Sequence, residues 1–324
     1  MDKYEVLKKY FGHSSFRKGQ AELIDALVCK RDALAIMPTG GGKSLCYQIP
    51  AIMAEGISLV VSPLISLMHD QVISLKQQGV SVAYINSTLT REQTNLALRR
   101  ASEGQYKLIY VAPERLLTSG FLSFAKTCDI SYVFVDEAHC VSQWGQDFRP
   151  SYLNIPSFIK ELDKKPCLAA FTATATSSVE RDIKDLIGLN DPFVTKQSFD
   201  RPNLYFEVRH SKNKDDELLF IINKHREDSI IIYCASRKNV DKICNLLREN
   251  DFACARYHAG LSESERKQSQ EDFQFDRVRI MVATNAFGMG IDKPNIRLVL
   301  HYNIPKDMES YYQEAGRAGR DGEK

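Results

Sequence analysis

The sequence predicts an α/β protein of two lobes, each a mostly parallel sheet with helices on both faces. Three observations carry that prediction. Short apolar runs alternate with longer amphipathic segments almost throughout, and strands that alternate with helices pair in parallel. The alternation breaks once, around 190–215, at "NDPFVTKQSFDRP" and the polar run "RHSKNKDDE", and then resumes. The 324 residues, 44% of them hydrophobic, suffice for two domains that each bury a core.

In chain order, the strands of the first lobe are "ALAIM" (33–37), "SLVVS" (58–62), "KLIYVA" (107–112), "YVFV" (132–135) and "CLAAFT" (167–172). Helical spacing runs over 65–78 and 90–102 between them. In the second lobe the strands are "SIIIYC" (229–234), "ACARY" (253–257), "RIMVA" (279–283) and "RLVLHY" (297–302). The lobes are expected to join near Phe199 to Leu204, giving 1–203 and 204–324. The sequence stops at "GRAGRDGEK", a polar turn with no closing strand, so the second lobe is expected to be truncated.

Charge narrows the partners. The net charge of +2 and pI near 8.0 fall below the ~9 that marks a strongly basic nucleic-acid domain, so any polyanion site must come from local placement. The start, "MDKYEVLKKYFGHSS", has no apolar core of signal-peptide length. No run approaches the roughly 20 apolar residues that span a bilayer; "ISLVVSPLISLM" comes nearest and is broken by Pro63 and serines. Eight scattered cysteines without a C-x-x-C pair read as reduced, mostly buried thiols. A cytoplasmic protein with no membrane partner is expected.

"ALAIMPTGGGKSLCYQ" is strand, glycine loop, then helix. Gly40, Gly41 and Gly42 let backbone N–H groups turn inward on a phosphate, and the helix opening at Lys43 adds its positive end. Lys43 would reach the β- and γ-phosphates of ATP, and the Ser44 hydroxyl would ligate Mg²⁺. The general pattern G-x-x-x-x-G-K-[ST] has Met37 at its first position here. Asp136 and Glu137 follow the apolar run "SYVFV". At a strand's carboxyl end Asp136 would hold Mg²⁺ and Glu137 would orient and deprotonate the attacking water. These two motifs together predict an NTPase.

The acidic pair opens "DEAHCVSQWGQDFRPSY", a loop that carries Trp144, Phe148 and Tyr152 where rings normally find nothing to bury against. Either the rings await a partner, or they fold back as a satellite core. Tyr152, at the start of the next helical pattern, suits the second fate, and Trp144, between Gln143 and Gly145, suits the first.

"MPTGGGKS", "DEAH", "FTATAT", "VATNAFGMGIDKPN" and "QEAGRAGRDG" stand in the order of superfamily 2 helicases. With "FGHSSFRKGQ", "SLCYQIPA" and "SYYQEAGRAGRDG", nearly the whole chain resembles the motor core of RecQ-family DNA helicases. That resemblance implies two RecA-like lobes with the nucleotide in the cleft between them. It also implies an ATP-dependent 3′→5′ motor that translocates on single-stranded DNA and unwinds duplexes in replication, recombination or repair. The partners implied are ATP, Mg²⁺, and single-stranded and partly duplex DNA, on a monomeric motor. The zinc module and winged helix that usually follow in the family are not in this sequence, so no zinc site is expected.

The resemblance carries roles onto single positions. Arg17 and Gln20 would contact the adenine. The loop with Trp144, Phe148 and Arg149 would sense single-stranded DNA, as base stacking of ~1–3 kcal/mol per ring tolerates any sequence. Gln313, Arg317 and Arg320 stand at helical spacing on one face; Arg320 would be the arginine finger, with Arg317 and Gln313 assisting. Gly290 and Asp292 would touch the nucleotide or the finger. Ser62, Pro63, Ser66 and Arg115 would track DNA phosphates in the first lobe, and Ser236, Arg237 and Thr284 in the second. His139, Thr172 and Thr174 would couple the sites. An RNA helicase remains the rival enzyme, and a nucleotide-gated DNA-binding protein that closes without stepping is the rival of another class.

Overall fold

The protein is described by a computed structural model that covers residues 1–38, 40–145, 147–198, 200–287 and 293–323. It divides into two compact units, Met1–Phe199 and Asp200–Lys324.

The first unit opens with α1 (Lys3–Phe11) and α2 (Gln20–Val28) before its first strand, β1 (Ala33–Ile36). There follow α3 (Lys43–Met53), β2 (Ile57–Val61), α4 (Ile65–Gln77), β3 (Val82–Ile85), α5 (Arg91–Ser102), β4 (Leu108–Val111), α6 (Ser119–Thr127) and β5 (Ile130–Val135). The unit closes with α7 (Asn154–Lys160), β6 (Cys167–Thr172), α8 (Ser177–Ile187) and β7 (Phe193–Lys196). The sheet order is β3-β4-β2-β5-β6-β1-β7, parallel in every recorded pairing. Strands β1, β2, β4 and β6 are buried on both faces, which is why they read as unbroken apolar runs. One core gathers Leu34, Val135 and Phe158 on one side of the sheet; another gathers Tyr47, Phe134 and Phe171 on the other.

The second unit runs α9 (Lys214–Lys224), β8 (Ser229–Tyr233), α10 (Arg237–Glu249), β9 (Cys254–Tyr257), α11 (Glu263–Gln274), β10 (Ile280–Ala283), β11 (Ile296–His301) and α12 (Met308–Ala315). Its sheet has the order β11-β8-β10-β9, again parallel. Arg201 and Asn203 fasten to this unit's end, the guanidinium donating to Ala318 O (3.0 Å) and the amide to Glu323 O (2.8 Å). The expected fold class, two mostly parallel α/β lobes, is borne out.

One local expectation is corrected. Gln313, Arg317 and Arg320 do not share a helix face, because α12 ends at Ala315. Beyond its cap at Gly316 the chain tightens into turns, with the Arg317 amide donating to Glu314 O (3.3 Å) and the Ala318 amide to Ala315 O (3.1 Å). The Gly319 amide then donates to Ile296 O (2.9 Å), which draws the segment onto β11 instead of onward as a helix.

Candidate functional site

A parallel sheet delivers the ends of its strands to one edge, so the topology decides which loops become neighbours. Strands β5, β6 and β1 are adjacent. Their carboxyl ends carry the acidic pair, "TATAT" and the glycine loop, which therefore lie side by side. Ser62 follows β2 and Arg115 follows β4 at the same edge.

The glycine loop is held by its own neighbours. Gly40 and Gly42 both have φ of 78°. At Gly42 a Cβ would come within 2.3 Å of Gln20 Nε2, so this position needs glycine on two counts. The Gln20 side-chain amide donates to Gly41 O and Gly42 O (3.2 Å each) and its carbonyl accepts from the Arg17 amide (2.9 Å). The Arg17 guanidinium donates to Gly40 O. The two residues expected at the adenine thus rest on the carbonyls of the phosphate loop. The Lys43 ammonium donates to Met37 O (3.2 Å) and, half-buried, is a cation held at the loop's mouth. Ser44 lies beside it in the first turn of α3.

Asp136 is 5% exposed, and burial first, then the neighbouring Glu137 charge, pushes its carboxyl up to about 7 against the pull of Lys43. Glu137 adopts a left-handed φ of 47°, which turns its side chain away from the line of β5. His139 is buried, and its Nδ1 lies 3.0 Å from Thr172 Oγ1. The Thr172 hydroxyl donates its single hydrogen to Thr174 O (2.8 Å), so His139 Nδ1 must be the donor to Thr172. Glu137 Oε2, 3.4 Å from that nitrogen, is left buried with no hydrogen bond. A buried carboxylate oxygen lacking a partner fits a water that arrives with substrate. Of the residues expected to act in coupling, His139 and Thr172 meet through their side chains, and Thr174 joins them by its backbone carbonyl and not by its hydroxyl.

In the loop beyond, the rings part ways. Trp144 is 80% exposed, Phe148 is half-buried, and Tyr152 is fully buried. The Tyr152 hydroxyl donates to Asp136 O (2.8 Å), a tie that sequence reasoning missed; the signal for it is that a buried phenol needs a polar partner. Ser142 fixes the loop's near end, donating to Asp182 Oδ2 (2.6 Å) and accepting from the Trp144 amide (3.1 Å). At Gly145 a Cβ would sit 2.2 Å from His139 O, so the turn that presents Trp144 closes only on glycine. The Arg149 guanidinium, expected on a DNA phosphate, pairs with Asp147 (2.7 Å) and donates to Pro63 O (2.8 Å), which joins this loop to the "SPLIS" segment.

The rest of the first-unit track divides by burial. Ser62 Oγ and Arg115 Nε are buried without hydrogen-bond partners, and Ser66 is half-buried in the first turn of α4. In the second unit, Ser236 caps α10 by accepting from the Asn239 amide (3.2 Å), and Arg237 is exposed beside Gly260. Thr284, 9% exposed, follows β10, so it and Ser236 lie at that sheet's carboxyl edge. Gln313 is half-buried on α12, Arg317 is buried and Arg320 half-buried. Gly290 and Asp292 lie outside the described residues. Among the described residues no group of three His, Cys, Asp or Glu side chains is placed to hold a metal ion, and no helix is long and apolar enough to cross a membrane.

The sequence matches two family models: "DEAD/DEAH box helicase" over residues 17–182 and "Helicase conserved C-terminal domain" over 213–322. It is 50% identical over 318 residues to "ATP-dependent DNA helicase RecQ" of Bacillus subtilis, covering 98% of this chain and 54% of that protein. It is 46% identical to the protein of the same name from Pasteurella multocida, covering 98% of this chain and 50% of that one. A "Putative ATP-dependent RNA helicase" of Acanthamoeba polyphaga mimivirus is 43% identical, with 99% and 58% covered. The chain spans about half the length of the curated relatives it matches. The resemblance to RecQ helicases is borne out. Among solved structures, S. cerevisiae Dbp5 bound to RNA and ADP BeF3 shares the fold with a TM-score of 0.76 at 20% identity, covering 98% of this chain and 84% of that one. The Mycobacterium smegmatis helicase Lhr, bound to ssDNA and AMP-PNP, does so at 0.74 and 21%, covering 96% and 45%.

Proposed function

Because the chain belongs to the DEAD/DEAH box helicases, we propose that it is the motor of an ATP-dependent DNA helicase of the RecQ kind. In this reading it steps 3′→5′ along one strand and unwinds duplex DNA in replication, recombination or repair. It works as a monomer inside the cell. The observation that carries the DNA assignment is the exposed Trp144, presented by a loop whose far end is tied through Tyr152 to the carbonyl of Asp136.

ATP is the substrate. Its phosphates suit the left-handed glycine loop, where Lys43 exchanges the Met37 carbonyl for a phosphate oxygen. Arg17 and Gln20 likewise exchange loop carbonyls for the adenine, so base recognition and loop release are one event. Ser44 and Asp136 would hold Mg²⁺, whose charge neutralises the phosphate oxygens when it is bound. Glu137 accepts the water's proton at the carboxylate oxygen left without a partner. Through His139, that same carboxylate senses the position of "TATAT". Arg317 and Arg320 are the cations proposed to meet the charge that develops on the transferred phosphoryl group. Ser62, Pro63, Ser66, Arg115, Ser236, Arg237 and Thr284 are proposed on the DNA track.

Steady-state ATPase with and without single-stranded DNA tests the chemistry. Lys43→Ala is expected to abolish turnover; Glu137→Gln is expected to retain ATP binding and lose hydrolysis. Near-wild-type turnover in Glu137→Gln would remove that residue as the base. A second reading, an RNA-directed motor, is favoured by the mimivirus relative's name. Stimulation by single-stranded RNA equal to that by DNA would favour it.

A further inference from the structure

The proposed chemistry leaves unused two cysteines of the second unit that face each other. Cys244 lies in the middle of α10 and Cys254 opens β9, within one core. Cys254 Sγ is 3.6 Å from Cys244 O, and Cys244 Sγ is 3.8 Å from Ala255 O, so each sulfur reaches across to the other's stretch of backbone. Both are free thiols, 0% and 7% exposed respectively.

Their surroundings set them apart from the remaining cysteines. Burial pushes the thiols of Cys46, Cys140, Cys167 and Cys234 up, which makes them inert. Cys254 goes the other way. The Cys244 thiol donates toward it and, against the cost of burial, that hydrogen bond and the nearby Arg248 guanidinium hold it below the ordinary thiol range. Arg248 Nη2 lies 3.4 Å from Cys254 O. Cys244, as the donor, is held protonated. A low thiol whose neighbour sits across the same helix–strand contact, each sulfur within 3.8 Å of the other's stretch of backbone, is the arrangement in which oxidation ends in a disulfide and not in a sulfinic acid.

We propose that Cys254 and Cys244 form a peroxide-sensitive dithiol that closes to a disulfide and fastens α10 to β9. The oxidant is hydrogen peroxide. The Cys254 thiolate attacks one peroxide oxygen, the O–O bond breaks, and hydroxide leaves to be protonated to water. The Cys254 sulfenic acid is then attacked by the Cys244 sulfur. The S–O bond breaks, the S–S bond forms, and a second water leaves with the Cys244 proton. Two thiols are oxidised for one peroxide reduced. Cys254, the less buried residue of the two, is the one that meets the oxidant. The product fixes the helix that begins at Arg237, so the clamp acts on the element carrying that exposed guanidinium.

The test treats the native chain with hydrogen peroxide, blocks remaining thiols with N-ethylmaleimide, and digests with trypsin without reduction. Cleavage after Lys242, Arg248 and Arg256 puts the two cysteines on separate peptides, 243–248 and 249–256. The expected result is one linked pair of these peptides, a whole-chain mass lower by the two lost hydrogens, and release by dithiothreitol. Denaturing in urea before oxidation is expected to scatter the linkage among other cysteines. Separate, fully maleimide-labelled peptides after native oxidation, or a link elsewhere, would overturn the proposal. Cys244→Ser is expected to leave Cys254 as a sulfenic acid trapped by dimedone at several times the wild-type yield. An unchanged yield in a folded variant would overturn the resolving role of Cys244, and the wild-type peptide map decides the pairing even where the variant fails to fold.

Discussion

Tyr152 and Trp144 belong to one loop and have opposite fates: the buried Tyr152 donates its hydroxyl to Asp136 O, and the Trp144 ring stands exposed. Tyr152→Phe keeps the packing and removes only the bond to Asp136 O, leaving a buried acceptor unpaired. The expected cost is ~1–3 kcal/mol, read as a lower midpoint in urea denaturation. Asp136 itself carries a larger tension. Its pKa is raised from 3.8 to about 7 by burial, so the acid stabilises the fold fully below 3.8, and that stability is lost as pH rises through about 7. Asp136→Asn has the same shape, keeps an acceptor for the Glu137 amide (3.0 Å), and carries no charge. It is expected to melt above wild type at pH 8, by on the order of 2–4 kcal/mol at most, and level with it near pH 4. It is also expected to lose ATP turnover. A pH series of thermal melts checks the sign; a variant less stable at pH 8 would mean the carboxylate is held by partners and not strained by burial.

At the scale of elements, the buried strands of the first sheet were legible and its edges were not, whereas both edges of the second sheet, β11 and β9, were read. β1, β2, β4 and β6 lie between two covered faces, so each is a run of Val, Ile, Leu and Ala that announces itself. β3 and β7 are the edge strands of the first sheet, half-covered, and their short mixed sequences "VAYI" and "FVTK" were lost among turn residues. The phosphate loop and acidic pair were legible because backbone amides and strand-end carboxylates have few alternative uses. The partners Arg149 takes in this structure were illegible for the complementary reason. Its own Asp147 and the Pro63 carbonyl compete for the guanidinium, and neither is visible as a partner until the loop is folded. The loop between Ser142 and Tyr152 acts as one piece anchored at both ends. Trp144→Ala is therefore expected to leave basal ATPase intact and to lower DNA-stimulated ATPase far more than DNA affinity. One stacked base is worth ~1–3 kcal/mol at most, and spread phosphate contacts mask part of it. Equal loss of basal and stimulated rates would make the ring structural.

For the molecule as a whole, a formal charge of only +2 means that the proposed grip on DNA would have to come from a few placed cations and hydroxyls. Affinity for single-stranded DNA is expected to be weak and to fall steeply with salt, with a log–log slope of about −0.7 for each phosphate neutralised. Fluorescence anisotropy at several salt concentrations reads the slope directly. Tight binding insensitive to salt would point to stacking, not phosphate contacts, as the main hold. The order of the first sheet has a different consequence, which falls on the protein while it is being made. β1, which leads into the phosphate loop, pairs only with β6 and β7, the last two strands of its unit. The first of its partners leaves the ribosome roughly 130 residues later, a delay of about 7–26 s at about 5–20 residues per second. Throughout that interval an apolar strand waits without a neighbour. A nascent chain stalled before Cys167 would carry the whole glycine loop and still be unable to retain a nucleotide.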